Sequence, residues 1–251
     1  MRALLISLLL LLTLLCLSGC GDDSNNDGGT NPPSIYDADS FDYAVVITEW
    51  TSDYRGHHWE ATIVPVDSTG VIESLVLRID GEDVPLNGSC CDWIGDMGTL
   101  TGGQSYSLEA IIDGTTYTED ITIAHWPETT LPDTWDTTQS LELNWTMAGN
   151  NMWQSIRSYY WYWITDETSY GEVEMGLSTR ARSATVPANW ITIPDGTSSD
   201  VNLSIVEVNW AYNNRFLVLS AAENDESYYD MTKRNERARQ HLDTVLDLLG
   251  N

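Results

Sequence analysis

From Phe41 to Asn224 the apolar residues fall at every second position in short runs, and turn residues break the runs. That period limits the chain more than any other feature. A repeat of two places one face of a strand inward, whereas a helix would need a repeat of 3.6. The clearest unit carries Tyr106, Leu108, Ala110 and Ile112 on one face, then Asp113-Gly114, then Tyr117, Ile121 and Ile123. Asp-Gly between two alternating runs predicts a hairpin, because a type I′ turn requires positive φ at both central residues. Tyr43, Val45 and Ile47 alternate, as do Trp59, Ala61 and Ile63, and Leu75, Leu77 and Ile79 lead to a second turn at Asp80-Gly81. Six or seven strands in roughly 85 residues are the pattern of an immunoglobulin-like sandwich over 41–125.

Residues 126–137, with Pro127 and Pro132, read as a linker, and a second strand series fills 138–224. Its runs are Leu141 to Trp145, Ser158 to Ile164, Val173 to Leu177, Ala184 to Val186 (stopped by Pro187), Val201 to Trp210 and Phe216 to Ala221. In the fifth run the apolar phase moves from Val201, Leu203 and Ile205 to Val206, Val208 and Trp210, which predicts a β-bulge. Residues 225–251 change period. Met231, Ala238, Leu242, Val245 and Leu249 recur at helical spacing, and four of the basic residues (Lys233, Arg234, Arg237 and Arg239) lie on the same segment. The expected fold is mainly β: two tandem β-sandwiches and a C-terminal amphipathic α-helix docked on the second.

Leu141-x-Leu143-x-Trp145, Tyr160-x-Tyr162 and Val201-x-Leu203-x-Ile205 resemble the second, third and penultimate strands of fibronectin type III and related bacterial immunoglobulin-like domains. The tyrosine that usually opens the penultimate strand in that family is missing here. The resemblance implies a sandwich; such folds carry many unrelated functions, so it implies no activity.

The N-terminus has its own logic. Met1-Arg2 is followed by an apolar stretch from Ala3 to Leu17, too short to span a bilayer as a helix and suited to a cleaved export signal over 1–19. Leu17-Ser18-Gly19-Cys20 resembles the lipobox of bacterial lipoproteins, which implies lipid on Cys20 and a membrane partner through that lipid. Gly21 after the cysteine, by the same resemblance, favours the outer membrane over the inner. Residues 20–40 hold few large apolar side chains and read as a disordered tether. Asp23, Asn25, Asp27 and Gly28 open like a calcium loop, but the twelfth position is Ser34 and not the Glu that closes such a site.

Charge excludes one class of partner. With 11 Lys+Arg against 38 Asp+Glu and a net charge of -27, the chain offers no basic surface for nucleic acid. Four histidines are scattered, and adjacent His57 and His58 would point to opposite faces of a strand, so neither metal nor cofactor is expected. No catalytic motif appears, and a pair such as Glu172 and Glu174 is unremarkable among so many carboxylates; the chain reads as a non-enzyme. Two features suggest contact with a protein or polysaccharide. Cys90-Cys91 can close a vicinal disulfide beside Trp93, bridge to another chain or stay reduced. On the strand from Tyr159 to Ile164, Tyr159, Trp161 and Trp163 face one way and Tyr160, Tyr162 and Ile164 the other; only one set can face a sandwich core, and the other is covered by the helix stripe or exposed to a ligand. Trp93, Trp161 and Trp163 are therefore the candidate ligand contacts. A lipid-anchored envelope protein that binds or builds is the leading expectation, with a carbohydrate-binding accessory or adhesin as the alternative.

Overall fold

A computed structural model describes residues 41–52, 56–66, 70–89, 92–132, 135–164, 167–194, 198–213, 215–224 and 234–250. The fold is mainly β with one C-terminal helix among the described residues. Eight strands lie in the first segment: β1 (Tyr43–Ser52), β2 (Gly56–Pro65), β3 (Leu75–Ile79), β4 (Glu82–Asp83), β5 (Leu86–Ser89), β6 (Asp92–Gly98), β7 (Ser105–Ile112) and β8 (Thr115–Thr122). Six follow: β9 (Leu141–Asn144), β10 (Trp153–Ile164), β11 (Glu167–Leu177), β12 (Ser183–Val186), β13 (Ser198–Asn213) and β14 (Phe216–Glu223), and then the helix α1 (Arg234–Gly250). Both Asp-Gly turns form as expected. Asp113 and Gly114 have φ of 49° and 81°, Asp80 and Gly81 of 49° and 83°. Asp113 also accepts the Glu73 and Ser74 N–H groups on Oδ1, at 3.0 and 2.7 Å, tying the turn to the residues that lead into the neighbouring strand β3.

The strands do not divide where the sequence pattern suggests. One eight-stranded sheet runs β11-β10-β13-β14-β1-β2-β6-β5, so it takes strands from both segments, and β1 joins β14 as a parallel pair. The front of this sheet carries two separate layers. A four-stranded sheet, β4-β3-β7-β8, covers one half, and the two-stranded β12-β9 covers the other. Each layer has its own core. Val45, Ile47, Trp59, Ile63, Leu108 and Ile121 belong to the first, with Phe216 and Val218 contributed from the distant β14. Leu143, Trp145, Ile156, Val186, Leu203 and Ile205 make the second. The segment expected to be a plain linker is packed at both ends: Trp126 rests against the first core, Leu131 and Trp135 against the second.

The back of the sheet is covered by α1. Its expected stripe of Ala238, Leu242, Val245 and Leu249 is buried against Ala44, Val46, Val64, Val206, Val208, Leu217, Leu219 and Ala221. The helix therefore lies across β1, β13 and β14 instead of over Trp161 and Trp163, because the aliphatic back-face side chains are on those central strands. This also accounts for the phase change in β13. The register with β10 continues unbroken through Ile205 and Val206, and the pairing with β14 runs without a shift from Val206 onward, so no bulge is present there. Ile205 faces the front core and Val206 the helix, and a strand buried on both faces loses its alternation. The register does shift between β2 and β6, at Trp59/Glu60.

Candidate functional site

The hairpin β10–β11 runs along one edge of the large sheet, and its far end is where aromatic side chains reach the surface. Ile156 faces the front core, so Tyr160 and Tyr162 share that face and Arg157, Tyr159, Trp161 and Trp163 share the back. The Tyr160 and Tyr162 rings lie 6.5 Å apart and within 17° of parallel. Tyr160 is paired across the ladder with Gly171, and its ring tip occupies the space above that residue: a Cβ there would meet the Tyr160 Cζ at 2.4 Å. A bare glycine thus lets the ring lean across the neighbouring strand. On the back, Trp161 is half-buried, Trp163 is 37% exposed and Tyr170 is 80% exposed. Aromatic rings in that state offer apolar area together with a polar handle, which suits a binding surface.

Beneath α1 the same hairpin carries a buried ionic network. The Arg157 side chain is 1% exposed. It donates to Glu174 at 3.0 Å and to the Tyr159 hydroxyl at 3.3 Å, and it pairs with Glu172 at 3.4 Å. Tyr159 donates to Gln240 of the helix at 2.7 Å, and Gln240 donates to Glu172 at 3.3 Å. Glu223 accepts from Ser204 and stands 3.8 Å from His241. Burial opposes the charge on Arg157, but Glu223, Tyr159, Glu174 and Glu172 outweigh it and hold the guanidinium protonated. Burial pushes the Tyr159 hydroxyl well above its usual range, and the Glu223 charge adds to this. Burial likewise raises Glu172, against the pull of Arg157. The network locks the helix side of the hairpin. Glu172 and Glu174 both pair with the Arg157 guanidinium.

A second polar group fills the seam between the two front layers. Glu207 of β13 is wholly buried and accepts from Asn151 at 3.0 Å and from Gln154. Asn151 in turn accepts the His125 N–H and the Asn209 amide, each at 3.0 Å. Burial raises the Glu207 carboxyl to about 7, while its amide partners and Arg182 pull the other way. On the opposite side of the molecule, His58 meets Asp96 at 2.6 Å. Among the described residues no three His, Cys, Asp or Glu side chains gather as a metal site.

The expected contacts do not form one site. Trp93 lies on β6, packed against the first core and half-buried, near one edge of the large sheet, whereas Trp161 and Trp163 lie near the other. Five strand spacings separate β6 from β10, or about 24 Å. Cys20, Cys90 and Cys91 fall outside the described residues. Tyr160, Tyr162 and Tyr170 were not among the expected contacts; Tyr160 and Tyr162 lie on the front face and are half-buried. The signal in sequence is Gly171, one of two glycines in β11 and the one that pairs with Tyr160. Searches among protein families and curated proteins find no match to this chain. No helix among the described residues is long and apolar enough to cross a membrane.

Proposed function

We propose that this is an exported bacterial lipoprotein, held at the cell envelope by lipid on Cys20, that binds a partner without transforming it. The observation that carries the binding reading is the aromatic end of β10–β11, where Tyr170 and Trp163 stand exposed on a hairpin braced from below by the Arg157 network. The order of basic start, short apolar run, small residues and cysteine supports the anchor, with Gly21 favouring the outer membrane. The separate cores under the two front layers support kinship of each half with the immunoglobulin-like and fibronectin type III-like sandwiches, the two halves fused through a shared sheet. The near-parallel Tyr160 and Tyr162 favour a second reading, in which the partner is a polysaccharide and the protein serves as a carbohydrate-binding accessory or adhesin.

Two measurements test this. Fractionation of cells making the full-length chain should recover it with membranes and release it after Cys20→Ala; membrane retention of the variant refutes the anchor. Cross-linking in whole cells should trap an envelope partner that the double variant Trp163→Ala, Tyr170→Ala no longer captures. Equal capture by both refutes the hairpin end as the contact.

A further inference from the structure

Away from the hairpin, a cleft of 420 Å³ opens between β8 and the β13–β14 turn, lined by Asp42, Thr115, Thr116, Thr118, Asn213 and Arg215, with Tyr117 and Phe216 at its base. We propose that this cleft binds a neutral oligosaccharide. The inference rests on the binding reading above but names a different surface: the cleft lies at the Asn213 end of β13, whereas the aromatic hairpin end lies beside Ser198, at the other end of the same strand.

Four features lead there. The volume lies within the range of sites for small ligands. The floor is aromatic and fixed: Tyr117 stacks on Phe216 with centroids 5.2 Å apart and meets Tyr43 edge-on at 5.8 Å. A ring so held offers a flat apolar surface at little cost in side-chain freedom. Burial, with the charges of Asp42 and neighbouring groups, raises the Tyr117 hydroxyl, which keeps it a neutral donor and acceptor.

The rim is polar in a way suited to hydroxyl groups. Strand β8 is the edge of its sheet. Ile112 and Thr115 close the two-residue turn, so pairs of the ladder alternate from there, and Thr116 and Thr118 direct their backbone N–H and C=O away from β7 toward the open side. Three threonine hydroxyls and the Asn213 amide add groups that both donate and accept. At one end Arg215 pairs with Asp42, and the Arg215 carbonyl accepts the Asp42 N–H at 2.8 Å, so the pair is clamped through main chain and side chain together. A guanidinium has five N–H donors, and this one is 64% exposed, which leaves donors for a ligand.

Charge selects among ligands. In a chain of net charge -27 the ionic groups lining this cleft are one acid and one base, paired with each other. A neutral ligand meets no repulsion there, whereas a polyanion would meet the acidic surface around it. The lining also has no aliphatic pocket to take the side chains of an added peptide strand, so hydroxyl-rich sugar fits better than an extended peptide.

Isothermal titration calorimetry of the full-length chain in detergent would use four neutral probes (cellohexaose, laminarihexaose, mannohexaose and chitohexaose) and one acidic probe, hexagalacturonic acid. The expected result is binding of at least one neutral hexamer, abolished by Thr116→Trp, which fills the cleft from an exposed position. Arg215→Ala should weaken it by roughly ten-fold or more, as expected for loss of hydrogen bonds from a charged donor. Trp163→Ala should leave it unchanged. Failure of all four neutral hexamers, retained binding in Thr116→Trp, or preference for the acidic hexamer overturns the proposal. Loss of binding in Trp163→Ala with retention in Thr116→Trp moves the sugar to the hairpin end, refuting the cleft while leaving the binding reading intact.

Discussion

Replacing Glu207 with Gln should make the protein more stable above neutral pH and leave it nearly unchanged in mild acid. The carboxyl is 0% exposed. The orientation of Asn151 is settled by its neighbours: its Oδ1 accepts from the His125 backbone N–H, so its Nδ2 must be what faces Glu207. Gln154 Oε1 is buried without a hydrogen-bond partner, and turning that amide over would let it accept a proton donated by the carboxyl. The site therefore suits the protonated acid. Its pKa is raised from the ordinary 4.5 to about 7. A shift of that size corresponds to about 3 kcal/mol between protonation states. Because the folded value is the higher one, folding takes up a proton between pH 4.5 and 7. The stabilisation is complete below about 4.5 and is lost as the pH rises through about 7. Urea unfolding of wild type and Glu207→Gln between pH 5 and 8.5 reads the difference directly. The curves should nearly coincide at pH 5 and diverge to as much as about 3 kcal/mol at pH 8.5, equivalent to roughly 6–12 °C in Tm. Burial also raises Glu49, to about 8, so wild type and variant both keep a residual slope and only their difference bears on Glu207. Parallel curves over the whole range would refute the reasoning, since they would mean that the seam holds the ionised form as readily as water does.

Arg157→Ala should cost roughly 3–5 kcal/mol, because it leaves Glu172, Glu174 and Glu223 facing one another without their cation, and the loss should be larger at pH 8 than at pH 5; urea unfolding at the two pH values measures it. Removing residues 225–251 exposes the apolar back of β1, β13 and β14, so Tm should fall and tryptophan emission should shift to the red as Trp153 and Trp210 lose their cover. An unchanged emission spectrum would mean that the helix does not cover the sheet in solution. Gly171→Ala should change stability by less than about 1 kcal/mol, since the far end of the Tyr160 side chain can swing away, yet it should abolish capture of a partner at the hairpin end. Unimpaired capture would show that the tyrosine pair takes no part.

The strands were legible because each is specified within a few residues. Asp113-Gly114 and Asp80-Gly81 need only positive φ and flanking alternation to make their turns, and both made them. Pro187 stopped β12 by lacking an N–H. The helix stripe was equally local, since Ala238, Leu242, Val245 and Leu249 share a face whatever lies opposite. The candidate site was read less well. Alternation placed Trp161 and Trp163 on one face but left open whether the helix covers that face; Trp163 is 37% exposed, while Trp93, singled out for its place beside Cys90-Cys91, lies on a distant strand.

By itself, the sequence determined the periods, the turns, the place where β gives way to helix, and the strongly acidic net charge. Each of these depends on contacts between near neighbours or on a simple sum of charges. Only the tertiary structure decided which strands share a sheet. The pairing of β1 with β14 joins Tyr43 to Phe216, residues with most of the folded chain between them, and no local pattern encodes a partner at that distance. Once β13, β14 and β1 became central strands they were buried on both faces, and it was this double burial, not a bulge, that erased the alternation of β13. The same placement put α1 over the aliphatic centre and left the aromatic end of β10–β11 outside, because a helix docks where the sheet offers the most apolar surface.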